Sequence, residues 1–133
     1  MDYERELRID IDKIPVSVNA MYQRAKLSSG KQGMFMSKRA KEYKELLAWK
    51  AKEAVLRNHW KLFREQRFFF VDLYYTFKSK KKFIDPNNSH KIVLDSLEGI
   101  VYENDKWALT RDMEAKFANK EHFTIIIRIP YID

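Results

Sequence analysis

Residues 67–77 read Arg-Phe-Phe-Phe-Val-Asp-Leu-Tyr-Tyr-Thr-Phe, a run rich in aromatic residues and bounded by charge. Such a run is typical of a largely buried central strand. The predicted strand leads into a lysine-rich run made of Lys78, Lys80, Lys81 and Lys82, and then into Asp85-Pro86-Asn87-Asn88. Because ligand sites in α/β sheets gather where strands end and loops diverge, we expect a functional site here.

Three further segments have the alternating pattern of strands. Leu7, Ile9 and Ile11 alternate with charged residues until Pro15 ends the segment. Alternation also runs from Trp107 to Phe117, and again from His122 to Ile129. Because only residues 118–121 separate these last two segments, they are predicted to form an antiparallel hairpin.

Two segments have helical spacing. Ser37 is a plausible N-cap for a helix that runs to about Asn58, with an apolar stripe of Ala40, Tyr43, Leu47, Ala51 and Ala54. In this helix Tyr43, Leu46, Leu47 and Trp49 are interpreted as core residues, not as a base-stacking platform. The second helix is predicted to begin at Asp85-Pro86 and to end at Gly99. One of its faces would carry Asn88, Lys91 and Asp95; the packed face would carry Val93, Leu94 and Leu97, with His90 as a further candidate.

The connection formed by residues 16–36 lacks a clear period. It is polar and basic, with Arg24, Lys26 and Lys31 among serines and glycines. A connection of this length is usually functional or disordered. It could follow a nucleic-acid backbone or be a solvated loop, and composition leaves both readings open.

The element order is therefore β-α-β-α-β-β. It predicts an α/β (α+β) fold: a mixed β-sheet of about four strands with two main helices packed on it. With 133 residues, of which 45% are hydrophobic, the chain has material for one core. We expect a single small domain over residues 1–133.

Charge and composition narrow the function. A formal net charge of +7 suggests a polyanionic partner, nucleic acid before membrane. The absence of cysteine excludes thiolate metal sites, and the histidines lie too far apart for a local zinc motif. No run approaches the length of a membrane span, and no leader pattern follows Met1, so a cytoplasmic location is expected.

Asp85, Lys91 and Asp105 are unremarkable when taken singly. Asp85 before a proline is an ordinary helix cap, Lys91 a surface lysine and Asp105 a turn residue. Asp95 reads as a solvated residue or as the partner of Lys91. Together with the preceding lysines, they match the needs of a magnesium site that acts on a phosphodiester. Carboxylates hold the hard cation, while lysines attract the anionic backbone and neutralise charge that develops on the phosphate.

At these residues the sequence resembles the RusA family of Holliday-junction resolvases. Three blocks carry the resemblance. They occur in the order and at the spacing of the family, and the resemblance extends over most of the chain. The three blocks are Pro15-Val16-Ser17-Val18-Asn19-Ala20-Met21-Tyr22; the basic run with Asp85-Pro86-Asn87-Asn88, Lys91 and Asp95-Ser96-Leu97; and Gly99-Ile100-Val101-Tyr102-Glu103-Asn104-Asp105.

The resemblance implies a homodimeric, magnesium-dependent endonuclease that binds four-way or other branched DNA and cuts two strands symmetrically, with Mn²⁺ as an alternative ion. Asp85 and Asp105 match acidic metal ligands of the family, and Lys91 matches its essential lysine. Asn87 joins them in the predicted catalytic and metal-binding set. The predicted DNA-binding residues are Asn19, Tyr22, Arg24, Lys26, Lys31, Lys78, Lys80, Lys81 and Lys82.

Asn87 departs from the family pattern Asp-x-Asp-Asn, and Asn104 stands where many members have an aspartate. The amide oxygen of Asn87 can still bind magnesium, but a negative charge is lost. Either Glu103, Asp95 or another carboxylate compensates, or the protein is a junction binder with little activity, or the sequence carries a deliberate Asp-to-Asn change. Besides a junction nuclease and a junction-binding protein, a third possible function is an RNA-binding module. No RNP-type aromatic motif supports it.

Overall fold

Alternating apolar residues give the chain its strands. The computed structural model describes residues 2–17, 22–26 and 32–133, without the side chains at 22–26, 32–35 and 82. Its strands are β1 (Arg5–Ile11), β2 (Tyr22–Lys26), β3 (Gln32–Met36), β4 (Phe69–Phe77), β5 (Ala108–Phe117) and β6 (His122–Ile129). Its helices are α1 (Lys38–Arg57) and α2 (His90–Leu97). Short 3₁₀ turns lie at Lys80–Lys82, Pro86–Ser89 and Asp105–Trp107.

The main sheet has four strands in the order β1-β6-β4-β5. β4 pairs antiparallel with β6 and parallel with β5, and β6 pairs antiparallel with β1. The predicted mixed sheet with two helices is confirmed, and β4 lies inside the sheet as its aromatic sequence indicated. α2 lies in the crossover between the parallel strands β4 and β5.

The predicted hairpin between β5 and β6 is wrong. The two strands lie on opposite sides of β4, and the Ala118 amide donates to the carbonyl of Phe77 at 2.9 Å. β6 is the more apolar strand and takes an inner position between β1 and β4, where it is buried. β5 takes the edge and is largely exposed. Alternation identified both strands, but it does not specify which neighbour each strand pairs with.

One face of the sheet carries the core. Leu7 and Val71 both lie opposite Ile127, while Ile9 and Leu73 both lie opposite Ile125. Side chains at directly opposite positions share a face, so these residues form one apolar layer. They are buried together with the inward stripe of α1 and with the packed side of α2. The sheet therefore presents its buried face to the helices.

The other face carries a buried ion network. The Asp72 side chain is fully buried, and its two carboxylate oxygens accept hydrogen bonds from Arg111 at 2.6 and 2.7 Å. Arg128 reaches the same carboxylate from β6. The Arg111 guanidinium also lies 3.8 Å from the ring centre of Phe70. Two arginines therefore neutralise the single buried aspartate and cover it from solvent.

α1 begins as predicted but buries fewer aromatic residues than predicted. The hydroxyl oxygen of Ser37 accepts a hydrogen bond from the Ala40 amide at 3.1 Å, which is an N-cap. The inward stripe of α1 is buried as its spacing indicated. The prediction for Trp49 is wrong, because its side chain is 59% exposed. Tyr43 and Leu47 already occupy the inward side of this part of the helix.

Residues 16–36 are not a single irregular connection. β2 and β3 form a two-stranded antiparallel ribbon in which Tyr22 pairs with Met36 and Lys26 with Gln32. Each strand has only five residues, and the apolar residues of β3, Met34-Phe35-Met36, are contiguous and do not alternate, so no period of two is visible. Asn19 and Lys31 lie outside the described residues, as do the side chains of Tyr22, Arg24 and Lys26.

Candidate active site

Asp85 lies where the lysine run after β4 turns towards α2. Its carboxylate Oδ1 accepts a hydrogen bond from the Asn87 amide at 3.1 Å, and its carbonyl accepts one from the Asn88 amide at 2.9 Å. It is therefore the predicted N-cap, although it caps the 3₁₀ turn Pro86–Ser89 and not α2 itself. Asp85 and Asn87 are both exposed.

Tyr75 anchors this turn to the sheet. Its hydroxyl lies 2.8 Å from the Ser89 hydroxyl and donates to Asp112 Oδ1 at 3.1 Å. Ser89 in turn donates to the carbonyl of Pro86 at 2.8 Å. Burial raises the pKa of Tyr75, and the negative charges of Asp112 and Asp85 raise it further. Tyr75 therefore remains a protonated donor, held between its strand and the turn.

His90 makes the second attachment. Its Nε2 lies 2.9 and 3.0 Å from the carboxylate oxygens of Asp112, and its Nδ1 lies 3.4 Å from the Thr110 hydroxyl. Thr110 and Asp112 are two residues apart on β5, so they share a face of the sheet. The first residue of α2 is thereby fixed to the edge strand. His90 does not belong to the apolar face for which it was a candidate.

Lys91 lies one residue further along α2. Its Nζ is 3.4 Å from Asp95 Oδ2, so the predicted pairing on the polar face is present. The Lys91 side chain is 52% exposed and Asp95 is partly covered. Surface pairs of this kind at i and i+4 contribute only about 0.3–0.5 kcal/mol. The ion pair with Asp95 therefore contributes little to the stability of the fold.

Asp105 lies beyond the other end of α2. Its amide donates to Glu98 Oε2 at 3.1 Å, and the Tyr102 hydroxyl donates to the Leu94 carbonyl at 2.7 Å. Burial raises the pKa of Tyr102, and the charges of Asp105, Glu98 and Asp95 raise it further. Tyr102 therefore remains protonated and attaches this turn to the last residues of α2.

The predicted site residues consequently fall into two groups. Asp85, Asn87 and Lys91 lie at the beginning of α2, whereas Asp105 contacts Glu98 at its end. A helix of eight residues is about 12 Å long. Among the described residues, no hydrogen bond or ion pair joins Asp85 to Asp105. Their joint metal site remains a prediction.

The predicted DNA-binding lysines lie next to the first group. Lys78, Lys80 and Lys81 are exposed between β4 and Asp85. For Lys82 the backbone is described as part of the turn Lys80–Lys82, but its side chain is not. The exposed lysines at 78, 80 and 81 thus lie on the same segment of the chain as the exposed Asp85 and Asn87.

The family model for endodeoxyribonuclease RusA matches residues 15–129. The chain belongs to the RusA endodeoxyribonuclease family. Membership implies endonuclease activity on Holliday junctions, which are four-way branched DNA. A search of curated proteins gave no match.

The oxygen donors of this RusA-family chain suit a hard divalent cation. The carboxylate of Asp85 and the amide of Asn87 are exposed on the same turn, and magnesium prefers such oxygen ligands. Within the described residues, no three histidine, cysteine, aspartate or glutamate side chains are grouped to hold a metal ion. The predicted metal ligands include only two carboxylates, those of Asp85 and Asp105, because residue 87 is an asparagine.

Sequence reasoning missed the residues that support the site. Tyr75 was read only as part of a buried strand, and Asp112 only as a polar position in an alternating strand. His90 precedes Lys91 directly and offered a signal, since a histidine beside a predicted catalytic lysine is a candidate for a polar role. The sequence around Asp112 offered no such signal, because the partners of its carboxylate, Tyr75 and His90, lie in β4 and α2.

No helix in the described part of this family member has an apolar stretch long enough to cross a membrane.

Proposed function

We propose that the chain is a magnesium-dependent, structure-selective endonuclease that resolves four-way DNA junctions by paired cuts and works as a homodimer. Family membership supports the nuclease assignment. The observation that carries the site is the display of Asp85, Asn87 and Lys91 around one turn, next to an exposed lysine run.

Asp85 and Asn87 would hold Mg²⁺ or Mn²⁺, with Asp105 as the third predicted ligand. The bound ion would supply a water of lowered pKa and would polarise the phosphate. The Asp85 carboxylate is preorganised for this role, because the backbone N–H of Asn87 donates a hydrogen bond to one of its two oxygens. Tyr75 and His90 keep the turn on the sheet, so the ligands do not need to be ordered when substrate binds.

Lys91 would supply positive charge to the reacting phosphate. Its ammonium group leaves Asp95 and donates to an oxygen on which charge develops during cleavage. Lys78, Lys80 and Lys81 attract the flanking phosphates. Because these lysines contact the sugar–phosphate backbone of the DNA, the affinity for DNA should depend on junction shape and on salt concentration more than on base sequence.

Two equivalent sites are needed for symmetric cuts. A homodimer with two-fold symmetry provides them, since each subunit presents the same surface to one half of a symmetric junction. The stoichiometry of the protein–junction complex tests this arrangement. We expect two chains for each junction in sedimentation or mass photometry.

The direct test uses a labelled four-way junction with Mg²⁺ or Mn²⁺. We expect paired cuts near the branch point and no comparable cutting of a linear duplex. Asn87→Asp should increase the cleavage rate, because it restores a carboxylate to the ligand set. Asp85→Asn should abolish cleavage while leaving junction binding intact. Absence of cutting by both the original chain and Asn87→Asp would reject the nuclease proposal.

A second function is favoured by Asn87 itself. The amide at this position removes a negative charge from the predicted ligand set, so the chain could be a junction-binding protein with weak or no catalysis. The same assay separates the two functions. A retarded but intact junction at every metal concentration, together with cutting by Asn87→Asp, identifies the chain as a binder.

A further inference from the structure

A groove of about 520 Å³ lies beside the lysine run. It is lined by residues 13–16 after β1, by the first turns of α1, by Lys81, Phe83 and Ile84, and by Glu121. The volume falls in the range of about 300–1,000 Å³ that small-molecule and cofactor sites occupy. The groove can therefore enclose one small planar group, whereas a double helix is too large.

The wall formed by Phe83 is aromatic. The Phe83 side chain is 50% exposed, and Val16 and Leu46 are further apolar residues of the lining. The ring centre of Phe83 lies 5.1 Å from that of Phe77, which is fully buried in the sheet. The exposed ring is thus supported from behind by the core and can offer a flat apolar surface.

The rim of this Phe83 groove is positively charged. Lys13, Arg39 and Lys81 line it, and none of them makes an ion pair within the described part of the chain. The two carboxylates that also line it have partners. Glu121 accepts a hydrogen bond from the Ile14 amide at 3.0 Å, and Glu42 lies 3.9 Å from Lys38. The lining therefore carries three cationic and two anionic side chains, and the net charge of the groove is positive.

The groove lining borders the candidate active site along the chain. Ile84 lines the groove, and Asp85 is the next residue. Consecutive Cα atoms are about 3.8 Å apart, so a ligand lying on Phe83 and Ile84 is adjacent to the Asp85 turn. An anion with a planar apolar group fits these features together, and the ligand of that chemistry in branched DNA is a nucleotide.

We propose that the Phe83 groove binds one unpaired nucleotide at the branch point of the DNA, with its base on Phe83 and its phosphates at Lys13, Arg39 and Lys81. This inference rests on the proposed function, because it takes branched DNA as the ligand. A paired base is stacked inside the duplex and cannot reach a pocket, whereas a base at a branch can leave the stack. Stacking on an aromatic side chain tolerates any base, which suits selection by structure.

The test compares two four-way junctions without divalent metal, so that neither is cut. One carries a single unpaired thymidine at the branch point, and the other carries an abasic residue at the same position. Fluorescence anisotropy gives the affinity for each junction. We expect about tenfold tighter binding of the junction with the base, in line with the contribution of one base–aromatic stack. This ratio is measured on the unaltered chain and needs no variant.

Phe83→Leu should bring the ratio close to one and leave the affinity for the abasic junction nearly unchanged. The matched control is Phe117→Leu. Phe117 is 51% exposed and its ring contacts Phe77 and Phe83, but it does not line the groove. This control should keep the ratio of the unaltered chain.

A ratio of one for the unaltered chain would overturn the groove proposal alone, provided that both junctions still bind better than a linear duplex. An equal loss of the ratio in Phe83→Leu and Phe117→Leu would also overturn it, because the effect would then arise from packing. If neither junction binds better than linear duplex, the proposed function fails and the groove proposal fails with it.

Discussion

His90 and Asp112 are joined by two short contacts, with Nε2 at 2.9 Å from Oδ1 and 3.0 Å from Oδ2. This pair attaches the first residue of α2 to the edge strand β5. The Tyr75 hydroxyl reaches the same carboxylate at 3.1 Å, so Asp112 links β4, β5 and α2. The turn that carries Asp85 and Asn87 is held on the sheet by side chains that do not themselves belong to the predicted ligand set.

Replacing this carboxylate should affect both stability and cutting. Asp112→Ala leaves the buried Tyr75 hydroxyl with one acceptor fewer, and we expect a loss of about 1–3 kcal/mol in the free energy of unfolding. Cleavage of a junction under single-turnover conditions should also slow, because the Asp85 turn is less well fixed. Asp112→Asn keeps an acceptor and should retain more of both. Urea unfolding and junction cleavage provide the two measurements.

Glu114→Ala is the matched control for that prediction. Glu114 lies on the same strand, is exposed and pairs with Lys116 at 3.3 Å. Its loss should change the unfolding free energy by less than about 1 kcal/mol and leave cutting unchanged. If Glu114→Ala slowed cutting as much as Asp112→Ala, the role assigned to Asp112 would be untenable.

Replacing Lys91 should lower the rate of junction cleavage and leave the affinity for the junction nearly unchanged. We expect Lys91→Met to lower the single-turnover cleavage rate by about 10²- to 10³-fold, the usual effect of losing one donor to developing charge. The affinity for the uncut junction should change only a few-fold. Gel retardation without divalent metal and cleavage with Mg²⁺ measure the two quantities.

Lys78→Met provides the contrast, since Lys78 lies in the exposed run before the site. Loss of one phosphate contact should weaken binding and reduce the salt dependence of log K by about one. Once the junction is saturated, the cleavage rate should be that of the original chain. A Lys91→Met variant that bound poorly but cut normally at saturation would contradict the division of roles.

The buried Asp72 should be among the most sensitive positions for stability. Hydrogen bonding to Asp72 raises the pKa of Arg111, so this guanidinium keeps its charge. Asp72→Ala leaves two arginines facing each other without an anion, and we expect a loss of about 2–4 kcal/mol in the free energy of unfolding. Glu6→Ala removes only the outer partner of Arg128, at 3.6 Å, and should cost less than about 1 kcal/mol. Equal losses in the two variants would show that burial of Asp72 is not decisive.

Stability should depend on pH through His122. Its Nε2 and Nδ1 each lie 3.0 Å from a carboxylate oxygen, of Asp10 and Asp12 respectively. These hydrogen bonds, the one to Asp10 first, raise the pKa of His122 above its ordinary value of 6.5. A raised pKa in the folded state stabilises the fold fully below pH 6.5, and the stabilisation is lost as the pH rises through the folded value.

The charged groups around His122 keep their charge over the pH range in which His122 titrates. Partial burial of Asp10 opposes its ionisation, but hydrogen bonds from Arg8, His122 and Thr124 outweigh burial and lower its pKa to about 2. Lys120 lies 3.4 Å from Asp12. Both carboxylates are therefore ionised wherever His122 titrates, and the stabilisation due to Asp10 is lost only as the pH falls towards 2.

Urea unfolding at pH 5.5 and 8.5 checks this dependence. The difference in stability between the original chain and His122→Gln should be larger at the lower pH, although it should stay below about 1 kcal/mol because the groups are partly exposed. His59→Asn is the control for the loss of a histidine, since His59 has no carboxylate partner in the part of the chain that the structure describes. A His122→Gln difference that grew with rising pH would contradict the sign.

Local sequence predicted the elements well, because apolar spacing and caps are properties of neighbouring residues. Ser37 caps α1 as its position indicated, whereas Asp85 caps a 3₁₀ turn and α2 begins only at His90. Trp49 was misassigned because helical spacing allows several residues near an apolar stripe, and packing against the sheet chooses among them. The ribbon of β2 and β3 was missed because its strands have only five residues each and their apolar residues do not alternate.

The sequence by itself determined that a buried aromatic strand leads into lysines and then into Asp85, Asn87 and Lys91, because these residues are contiguous or within one or two turns. Only the tertiary structure decided that β6 lies between β1 and β4, that Asp112 and His90 support the Asp85 turn, and that Lys13, Arg39 and Lys81 share a groove. These relationships join residues far apart in the chain. They follow from how the strands and helices bury their apolar faces together, which no local spacing encodes.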